Sequence, residues 1–221
     1  ISQAHESAVL HVSGSATYTD DIPELAGTLH SALGLAPVAA GRLLGMDLDT
    51  VRAMPGVVRV FTAADIPGAN DWGSIVHDDP ILCDGEIRYL GQPVFAVVAQ
   101  TREQARRAAS LAKHALRVEA APPVLTPREA HARGQYVVPP MHLVRSSSGL
   151  DEAGIRARIA AAPHRLQGSL DVGGQEQFYL EGQISYAIPK EGNAIHVHCS
   201  TQHPREMQHL VAHALGVHAH A

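Results

Sequence analysis

Residues 173–216 read GGQEQFYLEGQISYAIPKEGNAIHVHCSTQHPREMQHLVAHALG. Two stretches in it, 182–189 and 194–200, alternate apolar and polar residues around the turn Lys190-Glu191-Gly192-Asn193, which predicts a β-hairpin. In the second arm Ile195, Val197 and Cys199 share one face, while His196, His198 and Ser200 share the other. A helix over 204–215 follows, with Pro204 in its first turn and Gly216 at its C-cap. Its apolar stripe is Met207, Leu210, Val211, Ala214 and Leu215.

Between strand and helix lies an uncharged polar cluster, Cys199-Ser200-Thr201-Gln202. A glutamine amide donates and accepts hydrogen bonds but does not titrate, so Gln202 is no general base. It either caps the following helix or addresses a ligand, and residue chemistry by itself leaves both open.

Working back toward the N-terminus, strands are expected over 28–35 and 57–61, with a short helix over 47–56 between them that stops at Pro55-Gly56. The turn Gly91-Gln92-Pro93 leads into the run Pro93-Val94-Phe95-Ala96-Val97-Val98-Ala99, which has the length of a buried strand. Residues 103–116 predict one helix with Ala105, Ala108, Ala109, Ala112, Ala115 and Leu116 on a stripe that packs closely on a sheet. A strand is expected from Leu116 to Glu119. Residues 120–150, with Pro122-Pro123, Pro127, Pro139-Pro140 and Ser146-Ser147-Ser148-Gly149, read as a linker or crossover anchored by Tyr136, Val137, Val138 and Met141. A helix over 151–162 stopped by Pro163 and a strand over 165–172 open the second block.

The chain has 221 residues, 45% of them hydrophobic, and a formal net charge of −5. There is no basic stripe to neutralise phosphates, so nucleic-acid binding is not expected. No apolar run approaches the ~18 residues that span a bilayer, and residues 1–10 lack the apolar core of a signal peptide. The missing initiator Met suggests a trimmed or processed chain. Cys83 and Cys199 read as free thiols in a reducing cytoplasm.

Among the 15 histidines, His203, His209, His213, His218 and His220 crowd the C-terminus. His209 and His213 are spaced to project from one helical face, as two metal ligands would. No acid follows them, and a solvated face is the expectation. Asp20-Asp21 and Asp78-Asp79 read as caps of helices or turns. Glu176 and Glu181 flank Phe178 and Tyr179, which are expected to be buried, so each acid should be paired or pKa-raised.

Four segments together carry a resemblance. They are His5-Glu6-Ser7-Ala8 leading into Val12-Ser13-Gly14-Ser15-Ala16-Thr17-Tyr18-Thr19-Asp20-Asp21; Gly85-Glu86-Ile87-Arg88-Tyr89-Leu90-Gly91-Gln92-Pro93-Val94; Gly173-Gly174-Gln175-Glu176-Gln177-Phe178-Tyr179-Leu180-Glu181; and Ser200-Thr201-Gln202 with its helix. In this order and at these intervals the chain resembles the molybdenum hydroxylases, and within them the molybdopterin-binding large subunit of bacterial xanthine dehydrogenases. The chain departs from the family at Gln177, where histidine is common, and at Gly182, where a larger residue stands.

The resemblance implies an α+β chain: an α/β hammerhead domain over 7–119, the crossover over 120–150, and over 151–221 the N-terminal part of a first molybdopterin-binding mixed α/β domain. It implies that the Gln202 amide hydrogen-bonds an oxygen ligand of molybdenum, a cofactor contact and not direct metal ligation. It implies a parent enzyme that hydroxylates xanthine or hypoxanthine with water-derived oxygen, with electrons leaving through iron–sulfur (Fe-S) centres and FAD of a partner subunit to NAD. The pterin contacts, substrate-holding residues and catalytic base would then lie beyond Ala221. The 221-residue piece would be inactive and without bound cofactor, with Leu210 and Leu215 exposed and either self-association or disorder near the C-terminus expected. Alternative readings are another molybdenum hydroxylase acting on aldehydes or N-heteroaromatics, a non-catalytic assembly domain, or a small histidine-rich metal-binding protein.

Overall fold

A computed structural model describes residues 3, 5–139, 141, 149–179 and 181–220. Eight strands and seven helices occur among them: α1 (Ala8–Ser13), β1 (His30–Leu35), β2 (Gly41–Met46), α2 (Asp49–Arg52), β3 (Val57–Thr62), β4 (Glu86–Ile87), β5 (Pro93–Ala99), α3 (Arg102–Ala109), α4 (Ala112–Ala115), β6 (Leu116–Ala120), α5 (Pro127–Ala132), α6 (Glu152–Ala161), β7 (Ser185–Pro189), β8 (Ile195–Cys199) and α7 (Pro204–Leu215). They form two compact units, residues 1–123 with 179–221, and residues 124–178.

The first unit is built on β5. Its uninterrupted apolar run suits a central strand, since β1 and β3 pair with it antiparallel on either side. Val94, Phe95, Val97 and Ala99 are fully buried. Gly34 of β1 stands opposite Phe95, and the Phe95 ring occupies the space a side chain there would need: a Cβ on Gly34 would lie 2.2 Å from Cζ. Helix α3 lies across β1 and β5. The alanine stripe is what lets it approach, and Ala105, Ala108, Ala109, Ala112 and Ala115 are all buried. A second antiparallel sheet runs β4-β2-β6.

The single helix expected over 103–116 is two. The Ser110 hydroxyl donates to the Arg107 carbonyl at 2.7 Å, and the Leu111 N–H donates back to Ala108, three residues away. This local bonding tightens the chain and ends the α-helical ladder before α4 begins. At the front end Thr101 caps α3, its hydroxyl accepting from the Gln104 N–H at 3.2 Å.

Buried Gln92 explains the turn before β5. Its side-chain oxygen accepts from the Arg88 N–H at 2.8 Å, and its carbonyl accepts from the Ala36 N–H at 2.8 Å. The amide therefore holds the second of the four resembling segments in shape.

In the unit of residues 124–178 the anchored linker is corrected. Tyr136, Val137, Val138 and Met141 are exposed, with Val137 96% exposed. Pro127 starts α5 instead of blocking a helix, because proline at the first turn has no N–H to lose. The run Ser146-Ser147-Ser148 lies outside the described residues. Helix α6 follows the expected bounds, with the Asp151 carboxylate accepting from the Gly154 N–H at 2.8 Å. The strand expected over 165–172 does not form. Alternation makes a strand only where a partner offers hydrogen bonds and a face to bury. None pairs with it among the described residues, and Leu166 and Leu170 are 101% and 86% exposed.

Candidate functional site at the junction of β8 and α7

The hairpin and final helix follow the sequence closely. β7 and β8 pair antiparallel with Tyr186 opposite His198, joined by a 3-10 turn over Glu191–Asn193. α7 has Pro204 in its first turn and Gly216 as a left-handed C-cap at φ 67°. Ile195, Val197 and Cys199 face Met207, Val211 and Leu215 across a groove of about 750 Å³. Leu215 is exposed as expected, whereas Leu210 is half-buried.

Gln202 lies between these elements, outside both. Its side chain is exposed and makes no hydrogen bond among the described residues. The amide therefore does not cap α7. Its neighbours are engaged: the Ser200 hydroxyl donates to the Gly182 carbonyl at 3.2 Å, and the Thr201 hydroxyl accepts from the His203 N–H at 3.1 Å. Both hydrogen-bonding functions of Gln202 remain unspent, and the group is neutral. An amide so placed can both donate to and accept from a bound group.

The other candidates resolve differently. Phe178 and Tyr179 are exposed, Phe178 by 90%, so Glu176 and Glu181 do not sit beside buried aromatics. Phe178 instead adopts φ 53°, and Glu176 accepts from its N–H at 3.3 Å. Glu181 accepts from the Thr19 N–H at 3.0 Å, tying the hairpin to the N-terminal segment. A second tie runs from the Leu25 N–H to the Tyr186 hydroxyl at 3.0 Å. Neither tie has a sequence signature, since each joins residues more than 150 positions apart.

His209 and His213 are both exposed on α7. No group of three or more His, Cys, Asp or Glu side chains able to hold a metal occurs among the described residues. Asp21 closes a turn, accepting from the Tyr18 N–H at 3.0 Å, whereas Asp20 pairs with Arg102 at 3.3 Å. Cys83 and Cys199 are free thiols. Displaced pKa values occur at Asp65, Asp71 and Cys83, none of them in the hairpin or α7. No described helix is long and apolar enough to cross a membrane.

Comparison with known proteins gives this geometry a family. The "Aldehyde oxidase and xanthine dehydrogenase, a/b hammerhead domain" family model matches residues 13–119, and the "Molybdopterin cofactor-binding domain" model matches 137–221. The chain is 36% identical over 214 residues to "Xanthine dehydrogenase" of Oryza sativa subsp. japonica, covering 96% of this chain and 15% of that protein. It is 35% identical over 219 residues to "Xanthine dehydrogenase" of Drosophila pseudoobscura pseudoobscura, covering 99% of this chain and 16% of that protein. The chain thus spans about a sixth of the length of these relatives. Among solved structures, the aldehyde oxidoreductase of Desulfovibrio gigas superimposes with a TM-score of 0.79 at 23% identity, over 97% of this chain and 25% of that one, a likeness of fold alone. With two domain models in succession and relatives at this identity along nearly its whole length, the chain belongs to the molybdenum hydroxylase family, carrying the a/b hammerhead domain followed by the start of the molybdopterin-binding domain.

Proposed function

We propose that this chain is part of the molybdenum-binding subunit of a xanthine dehydrogenase that hydroxylates xanthine or hypoxanthine with oxygen from water. Electrons leave through Fe-S centres and FAD of a partner subunit to NAD, and the enzyme works in the cytoplasm. In domain terms, 7–119 is the hammerhead, 120–150 the crossover, and 151–221 the first part of the molybdopterin-binding domain. The observation that carries the reading is the Gln202 amide, exposed and unbonded at the join of β8 and α7. The names of the relatives at 35–36% identity support the purine branch.

Molybdopterin, when bound, supplies the redox centre. This chain contributes a neutral amide that orients an oxygen ligand by hydrogen bonding without adding charge. Gln202 coordinates nothing itself. The catalytic base is expected from residues other than these 221.

The test uses the complete protein with its partner subunit. Xanthine and hypoxanthine are expected to be oxidised with NAD, and Gln202→Ala is expected to lower kcat about a hundredfold, as removal of one preorganised donor does. Turnover of aldehydes with none of purines would overturn the substrate assignment. Full activity in Gln202→Ala would overturn the role of the amide.

A further inference from the structure

The turn that presents Gln202 is built by its neighbours. β8 ends at Cys199, and Ser200 fastens the strand's end to Gly182. The Thr201 hydroxyl then accepts from the His203 N–H at 3.1 Å. A hydroxyl that accepts from the N–H two residues on closes a compact turn around the residue between, which here is Gln202.

The bond is not an ordinary helix cap. An N-cap hydroxyl accepts from the second or third residue inside the helix. The N-cap position of α7 belongs to His203, which makes no side-chain cap, and Pro204 has no N–H to offer. Thr201 reaches the N–H of His203 itself, outside the helix. The bond therefore fixes the backbone on both sides of Gln202 and does little for α7. A β-branched threonine suits this task, because its χ1 is stiff and keeps the hydroxyl in place.

We infer that Thr201 is a positioning residue for Gln202, holding the backbone so that the amide projects in one direction before any ligand arrives. The inference rests on the reading of Gln202 given above. Preorganisation of this kind keeps a hydrogen-bond donor from having to be ordered at the moment of use.

The test is amide hydrogen exchange and 15N relaxation on the complete protein with its partner subunit, isotope-labelled in this segment. Thr201→Val keeps the shape and removes the acceptor, whereas Thr201→Ser keeps the acceptor. In Thr201→Val the His203 N–H is expected to exchange about fivefold faster, the worth of one net hydrogen bond. The backbone order parameter at Gln202 is expected to fall from about 0.85 to below about 0.6. Thr201→Ser is expected to restore both, and protection in β5 and α3 is expected to stay unchanged, which reports an intact fold. Unchanged exchange at His203 and unchanged order at Gln202 in Thr201→Val would overturn the inference. Should Thr201→Val disturb the core, Thr201→Ala is read in the same way.

Gln202→Ala separates the two readings. It is expected to leave His203 protection as it was, because the bond does not use the glutamine side chain. If the complete enzyme tolerates Gln202→Ala, the role of the amide falls while the turn measurement still decides the inference about Thr201.

Discussion

The Gly68 N–H donates to the Ala214 carbonyl at 2.9 Å, and next to it the Ala69 N–H donates to His213 at 3.2 Å. The last turn of α7 leaves carbonyls without intrahelical partners. A loop more than 140 residues earlier in the chain satisfies that of Ala214 and gives a second donor to that of His213, which also accepts from the Gly216 N–H at 3.2 Å.

That contact has no room for a side chain. A Cβ on Gly68 would lie 2.0 Å from the His213 oxygen and 2.6 Å from the Gly216 nitrogen, both backbone atoms that cannot swing away. Gly68→Ala is expected to destabilise the first unit by about 1–3 kcal/mol, the usual cost of overpacking. Gly85→Ala meets nothing within 4 Å and serves as the neutral control. Urea titrations of both variants decide this: equal midpoints would refute the interlock.

Gly34 and Phe95 make a similar fit inside the sheet. Phe95→Ala is expected to cost about 3–5 kcal/mol, since the ring is fully buried and its removal leaves a cavity. Gly34→Ala is expected to cost less, about 1–3 kcal/mol, through crowding against the ring. Thermal unfolding of the two single variants checks the order, and a larger loss in Gly34→Ala would contradict it.

Cys83 should titrate with the fold. Burial pushes its thiol above the ordinary 9.0, and its Sγ donates to the Glu86 carbonyl at 3.3 Å. A folded pKa above the unfolded one means the thiol's contribution is intact below about pH 9 and is lost as pH rises through the folded value. Stability measured from neutral into alkaline pH should therefore fall less steeply in Cys83→Ala. At pH 8, iodoacetamide is expected to modify half-buried Cys199 well before buried Cys83. Equal labelling rates would show that Cys83 is open to solvent.

Asp71 gives the opposite sign. Its carboxylate accepts from His77 at 2.6 Å and from the N–H groups of Gly73 and Asp79 at 3.2 Å. His77 first, then the two backbone donors, hold it below the ordinary 3.8 despite partial desolvation. The stabilisation is present above about pH 4 and is lost as pH falls through the lowered pKa. A carboxyl-carbon NMR titration should place Asp71 below an ordinary aspartate, and His77→Ala should move it up. An Asp71 that titrates no lower than an ordinary aspartate would rule out this arrangement.

Much of this architecture was readable where local chemistry and burial agree. The alanine stripe, the β5 run, the hairpin and the Pro204-to-Gly216 helix each satisfy periodicity and punctuation at once. Periodicity missed the break at Ser110 because one hydroxyl bond decides it. It overread residues 165–172 because alternation says nothing about whether a partner strand exists. It also overlooked α1, a short helix with no buried residue. At the site, Gln202 stood out as an uncharged amide between two signals. Its turn also had a signal, a threonine two positions before the helix cap. The Gly68, Glu181 and Tyr186 ties had none, because a long-range hydrogen bond leaves no mark on neighbouring residues.

α7 is fastened at one tip only. Its first turn leads out of the Thr201 turn, which holds Gln202 and not the helix, whereas its last turn is gripped by Gly68 and Ala69, and the groove beside Met207 and Val211 parts one flank from β8. A rod clamped at one end swings most at the other. A wedge driven into that groove would therefore swing the end that carries Gln202 before the grip of Gly68 gave way.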